Sequence, residues 1–306
     1  MKTKILLIIL ILLLIPFIII NTLTIKNKNS LKAIKNEEFV IKVKRSNGNI
    51  EKVRFEDYIL GVISSEIPVS FEKEAIKAQA VASRSYALTK MNQKNTEYDV
   101  VDTVDNQVYQ NDQELQAKWQ DKYDKNIKKM KNAVKETSYE YLDYEGEVVQ
   151  AFFFSTSVGK TENSEEVFVK ALPYLRSVDS SWDEEASPVF NETNSFKLEE
   201  FYNQLDLPYQ DKLTFEVLET TSTGRIKKLK INNQEFDGRL LAQKLHLRSN
   251  YFKINQTEKT LNITTTGNGH GVGMSQYGAN GMAKEGYNYE EILKHYYTGT
   301  KIKKIK

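Results

Sequence analysis

The sequence contains no cysteine, and only three histidines and five prolines occur among its 306 residues. Without cysteine the chain cannot form disulfides, thiolate zinc sites or a cysteine nucleophile. The three histidines, His246, His270 and His295, argue against a histidine-rich metal site, so we expect no metal and no cofactor. With so few prolines and only fourteen glycines, collagen-like and proline-rich chains are also excluded.

A large excess of charge of one sign is missing as well. Lys and Arg number 43 and Asp and Glu number 41, which leaves a formal net charge of +2. A nucleic-acid-binding protein normally carries a basic face, so this balance gives no reason to expect a nucleic-acid partner. A hydrophobic content of 40% is enough to fill a core, which excludes global disorder.

The first 25 residues form a long hydrophobic run. Lys2 and Lys4 precede an apolar stretch from Ile5 to Ile20, which with its flank has about the length that crosses a bilayer. The first alanine is Ala33, so no small-residue cleavage site follows. We therefore predict an uncleaved single-pass anchor over residues 1–25 and a tether over 26–38. The lysines after the run outnumber those before it, which by the positive-inside rule favours a cytoplasmic body.

The remainder, residues 39–303, has the pattern of one mixed helix and sheet body, so we predict the α+β class. Alternating strands around the turn Ser46–Asn49 open this body. Further along, the pattern predicts a helix over about residues 112–136 and a hairpin of residues 139–144 and 148–154 around Glu145–Gly146. We interpret residues 190–262 as an insertion that supports a cleft, with helices over 198–205 and 236–245 and strands over 213–218 and 226–231.

The first helix after the hairpin carries the clearest chemical signal. Ile59, Val62, Ile63 and Glu66 fall at i, i+3, i+4 and i+7, so Glu66 lies on the apolar stripe, and Pro68 ends the helix. Burial and the negative end of the helix dipole both raise the pKa of a carboxyl group, which suits a general acid. A glutamate that turns to solvent or pairs with Lys or Arg is the commoner alternative.

Polar residues and glycines later in the chain mark a second chemical surface. Ser155 and Thr156 follow the apolar run Phe152–Phe154 at a predicted strand end. Glycines at 267, 269, 271 and 273 let a ligand approach the backbone and also make a tight turn before the helix near Ser275, since one loop can serve both purposes. The segment lacks the P-loop and GxGxxG patterns, and no GxSxG surrounds the serines, which argues against nucleotide binding and serine hydrolysis.

Three blocks, in this order, resemble the SpoIID/LytB family, the stage II sporulation protein D family. They span residues 57–87, 154–163 and 269–279, and together they reach across nearly the whole predicted ectodomain. Some relatives carry a His/Cys zinc site after the second helix. Here the stretch Tyr98–Tyr109 contains neither residue, which agrees with the expectation of no metal. We interpret its Asp99, Asp102 and Asp105 as turn and capping residues, since they lack the glycine and the carbonyl-rich loop of a calcium site.

The resemblance implies a membrane-anchored lytic transglycosylase that cleaves peptidoglycan glycan strands outside the cytoplasm during engulfment in endospore formation. It implies a two-lobed ectodomain with a glycan cleft, in which Glu66 is the catalytic glutamate. It also suggests a complex with a wall amidase/endopeptidase and a polytopic membrane protein. The residues that we predict to bind substrate are Gln79, Arg84, Ser155, Thr156, Lys160, His270, Gly271, Ser275, Gln276 and Tyr277.

Two alternatives remain at this stage. The same family includes amidase enhancers, so the chain is alternatively a non-catalytic wall-binding module. A glycoside hydrolase with two carboxylates would instead need a partner for Glu66 at ~5–10 Å. Asp179, Asp183 and Glu162 are the candidates for that partner.

The anchor and the implied wall substrate together predict where the body lies. Protease added to intact protoplasts should digest residues 39–306 and leave a membrane-bound N-terminal fragment, because the body would be outside the cytoplasm. Full protection that is lost on detergent lysis would show that the body lies in the cytoplasm, as the lysine distribution favours.

Overall fold

The computed structural model of the chain describes residues 39–91, 93 and 97–305. Helices and short sheets are mixed along this part of the chain, which confirms the predicted α+β class. The helices are α1 (Phe55–Glu66), α2 (Lys73–Met91), α3 (Asp112–Trp119), α4 (Tyr123–Glu136), α5 (Trp182–Ala186), α6 (Leu198–Gln204), α7 (Gly238–Lys244), α8 (Gln276–Lys284) and α9 (Tyr289–Tyr296). The first seven strands are β1 (Val40–Lys44), β2 (Ile50–Arg54), β3 (Val100–Val101), β4 (Glu140–Tyr144), β5 (Glu147–Val148), β6 (Phe153–Phe154) and β7 (Asn191–Lys197). The other seven are β8 (Phe215–Thr220), β9 (Ile226–Ile231), β10 (Gln234–Asp237), β11 (Phe252–Thr257), β12 (Thr260–Thr266), β13 (Met274–Ser275) and β14 (Lys301–Lys304).

The predicted anchor (1–25) and tether (26–38) lie outside the described residues. Within residues 39–91, 93 and 97–305, no helix combines the length and the apolar character needed to cross a bilayer.

The strands form five small sheets. Their orders are β2-β1-β3, β10-β9-β8, β11-β12-β7, β13-β6 and β14-β4-β5. The pairs β1–β3 and β6–β13 are parallel, and the other pairs are antiparallel. The predicted opening hairpin is confirmed, with Lys44 opposite Ile50 across its turn.

Helix α2 lies at the centre of the first hydrophobic core. It contacts α1, α4, α8, α9 and β4. Alanines at positions 75, 78, 80 and 82 are buried in it, and such small side chains let neighbouring backbones approach closely on several sides. The helix that carries Gln79 and Arg84 is therefore surrounded by protein along most of its length.

A second core is built from residues 198–263. Leu198, Phe201 and Tyr202 of α6 pack with Leu229 and Ile231 of β9, and buried residues of α7, β11 and β12 complete the cluster. The sequence predicted α6, β9 and α7 at nearly these positions, but it missed the sheet β11-β12-β7. That this region supports a cleft stays a prediction.

Two local expectations were wrong. The periodic stretch 112–136 predicted one long helix, but Gln120 has a φ of 47° and a 3-10 turn over Gln120–Lys122 separates α3 from α4. The hairpin predicted around Glu145–Gly146 forms between β4 and β5, but its second strand was expected to run over residues 148–154. Instead β5 ends at Val148, and Phe153–Phe154 pairs with the distant β13. Hydrophobic pattern specifies a strand without specifying its partner.

A buried ion pair ties the glycine segment to the second core. Arg225, next to β9, is 1% exposed, and Glu162 is fully buried. Arg225 Nη1 donates to the Gly269 carbonyl (2.9 Å), and its Nε lies 3.5 Å from Glu162 Oε1. The Glu162 N–H donates to the Gly271 carbonyl (2.7 Å). Burial lowers the pKa of Arg225 to about 10, with Glu162 opposing the shift, so the guanidinium remains charged at neutral pH.

Gly271 closes this arrangement because it has no side chain. Its φ is +87°, and a Cβ there would lie 2.9 Å from Glu162 Cγ and 3.0 Å from Arg225 Cζ. Gly286 has a similar φ of +96°, but a Cβ there would meet nothing within 4 Å. Both glycines therefore have a positive φ that disfavours other residues. Only at Gly271 would an added Cβ also crowd neighbouring side chains.

Gly271→Ala is expected to destabilise the fold by about 1–3 kcal/mol more than Gly286→Ala, since only the first variant adds overpacking to the backbone strain. Denaturant unfolding of both variants beside the parent measures the difference. Equal losses of stability would show that Glu162 and Arg225 accommodate the added methyl group with no loss in the free energy of unfolding.

Candidate active site

Glu66 is the last residue of α1 and is partly buried. Ile59, Val62 and Ile63 are fully buried along the same helix. Their packing fixes the helix so that Glu66, at its C-terminal end, lies at the site. Glu66 Oε1 accepts a hydrogen bond from the Val108 N–H (2.7 Å). One carboxyl oxygen is thus fixed by a segment 42 residues further along the chain.

Burial raises the pKa of Glu66 above its ordinary value. The Val108 hydrogen bond and the positive charge of Lys118 oppose this rise by stabilising the ionised form. Lys118, near the end of α3, donates from Nζ to the Ser64 carbonyl (3.1 Å). The net direction is upward, so the carboxyl group keeps its proton to higher pH than a solvated glutamate does.

A cleft of about 570 Å³ opens beside Glu66. Aromatic rings supply much of its wall, and Phe152 stacks on Phe168 with ring centroids 4.5 Å apart. The lining residues are Glu66, Pro68, Tyr86, Val104, Asp105, Asn106, Phe152, Phe153, Phe154, Ser155, Phe168, Asn268, Gly269, His270, Gln276 and Tyr277. An apolar cleft with a few converging polar groups is the usual form of a small-ligand or glycan site.

The parallel pairing of β6 with β13 brings two of the sequence blocks onto one wall. Tyr277 N–H donates to the Ser155 carbonyl (3.0 Å), directly after the paired residues. The Ser275 hydroxyl caps α8 by accepting from the Gly278 N–H (3.3 Å). Ser155, Gln276 and Tyr277 are thereby placed in the cleft wall as a group.

His270 lies in the same wall, between Phe154 and Phe168, whose ring centroids are 5.6 and 5.7 Å from its own. Burial and the nearby Arg225 charge lower the pKa of His270 to about 4. The ring is therefore neutral at neutral pH. Its Nδ1 accepts from the Val272 N–H (3.1 Å), which assigns the ring proton to Nε2 and makes that atom a hydrogen-bond donor.

Six of the predicted substrate-binding residues do not line the cleft. They are Gln79, Arg84, Thr156, Lys160, Gly271 and Ser275. That they touch substrate stays a prediction, and most of them lie behind the wall or away from it.

Arg84 shows the reason most clearly. Its side chain is fully buried, and Nε and Nη2 donate to the two oxygens of Glu56 (2.9 and 2.8 Å) while Nη1 donates to the Glu140 carbonyl (2.9 Å). Gln79 is 1% exposed and accepts at 3.5 Å from the cleft residue Gln276. Gln79 thus supports the wall from behind, whereas Arg84 joins α2 to α1 and β4.

Thr156 and Ser275 are also fully buried. The Thr156 hydroxyl hydrogen-bonds the Ser187 hydroxyl (2.8 Å), and Ser275 donates to Asp183 Oδ1 (2.6 Å). Lys160 is exposed, and its backbone pairs with Asp179.

None of the three carboxylates proposed as partners for Glu66 lines the cleft. Asp183 accepts hydrogen bonds from Ser157, Ser180 and Ser275 in the interior. Glu162 pairs with Arg225. Among the described residues that line the cleft, Asp105 is the carboxylate that accompanies Glu66, and it was missed because the stretch around it reads as an ordinary turn.

No group of three or more His, Cys, Asp or Glu side chains suited to hold a metal ion occurs in residues 39–91, 93 and 97–305. Asp102, which the sequence interpretation treated as a turn residue, accepts from the Ser46 backbone N–H and hydroxyl (3.1 and 2.8 Å) and lies 3.3 Å from Arg45 Nε. Its contacts are those of a structural residue.

Comparison with known proteins places the chain among relatives. A family described as stage II sporulation protein matches residues 44–144. Stage II sporulation protein D of Bacillus amyloliquefaciens is 40% identical over 263 residues, which cover 84% of this chain and 76% of the relative. Stage II sporulation protein D of Bacillus subtilis (strain 168) is 38% identical over 264 residues, with the same coverage.

A third relative carries a different name. The amidase enhancer of Bacillus subtilis (strain 168) is 29% identical over 300 residues, which cover 79% of this chain and 40% of the relative. The identity and coverage of the two sporulation proteins are sufficient to decide membership. The chain belongs to the stage II sporulation protein D (SpoIID) family.

Proposed function

We propose that this protein is a membrane-anchored lytic transglycosylase that cleaves peptidoglycan glycan strands during engulfment in endospore formation. The observation that carries the proposal is Glu66, a partly buried carboxyl group with a raised pKa that opens into the aromatic cleft. The names of the two relatives with 38–40% identity support the link to sporulation. The anchor over residues 1–25 and the location of the body outside the cytoplasm belong to the same proposal.

The reaction begins with protonated Glu66. It gives its proton to the glycosidic oxygen between N-acetylmuramic acid and N-acetylglucosamine, and the bond from that oxygen to the muramic C1 breaks. Positive charge develops at C1 in an oxocarbenium-like transition state. The Val108 N–H engages Oε1, so Oε2 is the oxygen that carries the proton.

The same residue then completes the reaction as a base. The Glu66 carboxylate takes the proton of the C6 hydroxyl of the muramic residue, and O6 closes on C1. The products are a 1,6-anhydro end and a free N-acetylglucosamine end, and Glu66 regains its proton without the use of water. One carboxyl group suffices for both steps, which is consistent with the engagement of Asp183 and Glu162 elsewhere.

The cleft wall supplies binding groups for sugars. Aromatic faces such as that of Tyr277 pack against the apolar faces of pyranose rings. Gln276 offers an amide to a sugar hydroxyl or an acetamido carbonyl, and the neutral His270 ring, which is engaged by the Val272 N–H and by the Phe153 backbone, gives the wall an uncharged surface. These groups orient the strand while Glu66 performs the proton transfers.

Two other functions have one observation each in their favour. The relative named amidase enhancer favours a wall-binding module that stimulates another enzyme. Asp105 in the cleft favours a hydrolase in which a second carboxylate activates water. The proposed partners, a wall amidase/endopeptidase and a polytopic membrane protein, fit the transglycosylase and the enhancer equally well.

Glu66→Gln is expected to lower glycan cleavage by about 10²–10⁴-fold while strand binding persists, because the amide keeps the shape of the side chain but cannot transfer a proton. Mass spectrometry of the parent's products should show 1,6-anhydro ends. Asp105→Asn serves as the comparison and should lose far less activity.

The outcomes separate the three functions. Reducing ends together with a large loss in Asp105→Asn would establish the two-carboxylate hydrolase. Full cleavage by Glu66→Gln would contradict the assignment of Glu66 as the catalytic acid, and absence of cleavage by the parent would leave only the binding module.

Lys118→Met is expected to shift the alkaline limb of the pH–rate profile to higher pH. The lysine stabilises the ionised form of Glu66 and so lowers its pKa. Without that charge the pKa rises, and the protonated acid persists to higher pH. Lys122→Met is the matched control, since Lys122 is exposed on the adjoining turn. A downward shift, or the same shift in both variants, would contradict this electrostatic assignment.

A further inference from the structure

A second cavity of about 340 Å³ adjoins the cleft. Gly269 and His270 line both cavities, so the two are separated by a single stretch of wall. Its other lining residues come largely from the second core and its loops: Thr221, Arg225, Lys227, Asp237, Arg239, Ala242, Gln243, Leu247, Arg248, Ser249 and Asn250, together with Glu166 and Val167. None of the residues specific to this cavity was predicted as a site residue.

Three arginines line this cavity, and one of them has a buried N–H group without a partner among the described residues. Arg225 is 1% exposed, and its Nη2 has no hydrogen-bond partner. Arg239 uses Nη1 on the Val167 carbonyl (2.6 Å), a neutral acceptor. Arg248 lies on the cavity wall and pairs with Glu192 through Nε (2.6 Å).

The acidic residues of the cavity are already engaged. Asp237 caps α7 by accepting from the Arg239 and Leu240 N–H groups (2.8 and 2.9 Å). Glu166 lies 3.5 Å from Lys227 Nζ. The unmet hydrogen-bonding capacity of the cavity is therefore mainly that of cationic donors.

We propose that this cavity is a subsite that binds a carboxylate group carried by the glycan strand in the adjoining cleft. The inference rests on the proposed function, since it takes the strand as the ligand. A guanidinium group presents its N–H donors in a planar fork that matches the two oxygens of a carboxylate. A buried arginine with an unpartnered donor costs stability in the empty protein, and a bound anion offsets part of that cost.

Peptidoglycan offers this chemistry in two places. The lactyl group of N-acetylmuramic acid carries a carboxylate when no peptide is attached to it. When a stem peptide is attached, the lactyl carboxylate is consumed in an amide and the peptide supplies carboxylates of its own. Both sources present the same planar group, at different distances from the sugar ring.

The test is equilibrium binding to the full-length chain carrying Glu66→Gln, so that strands remain intact. The probes are peptide-free strands, the same strands with their carboxyl groups converted to methylamides, and strands that retain their stem peptides with and without this conversion. Arg239→Gln is compared with Arg239→Lys and with Lys228→Gln, a control on β9 that is exposed and does not line the cavity. Both glutamine variants remove one positive charge.

Conversion to methylamides is expected to weaken binding by the chain with intact arginines, and Arg239→Gln should weaken binding of the carboxylate form roughly tenfold. Binding of the methylamide strands should not change in Arg239→Gln, and Lys228→Gln should bind both forms as its parent does. Arg239→Lys should retain most of the affinity. Sensitivity confined to peptide-free strands would identify the lactyl carboxylate, and sensitivity confined to stem-bearing strands would identify the peptide carboxylates.

The proposal is overturned if conversion leaves binding unchanged on both kinds of strand, or if Arg239→Gln weakens both forms equally. These outcomes are independent of the chemistry at Glu66. A Glu66→Gln chain that still distinguishes the two forms supports the subsite even where cleavage assays contradict the transglycosylase.

Discussion

The site depends on the close approach of two chain segments that lie 120 residues apart in sequence. Phe153–Phe154 and Met274–Ser275 pair over only two residues, and the approach is possible because glycine stands beside them. A Cβ at Gly273 would lie 2.0 Å from the Phe152 carbonyl oxygen, and one at Gly269 would lie 3.0 Å from Phe154 Cβ. The glycines thus admit the protein's own backbone, as the predicted tight turn requires, and the approach of a ligand to this loop stays a prediction.

The sequence predicted the parts of the site that depend on local periodicity. The i, i+3, i+4, i+7 pattern placed Glu66 on the buried stripe of α1, where the structure has it. It could not show that Val108 would hold the carboxyl group, because that contact depends on tertiary placement of an irregular segment. The same holds for Asp105, since no pattern separates a cleft aspartate from a turn aspartate.

Several polar residues that were predicted to bind substrate are buried inside the body and do not line the cleft wall. Arg84 and Ser275 lie in blocks that resemble the family. Their buried side chains form hydrogen bonds to Glu56 and Asp183, respectively. A core crossed by a helix as enclosed as α2 needs such internal partners wherever a polar side chain is buried. Resemblance to a motif therefore marks a region that must keep its geometry, and burial decides which of its members reach the ligand.

The order in which the cleft residues occur along the chain has a consequence for its assembly. Glu66 and Tyr86 are synthesised early, whereas His270, Gln276 and Tyr277 come near the end. Contacts between residues so far apart in sequence are costly in loop entropy and form slowly. A nascent chain that has not reached Met274 has no partner for β6 and so no complete cleft. Any chemistry that needs both walls is thereby withheld until residues 274–277 have been synthesised.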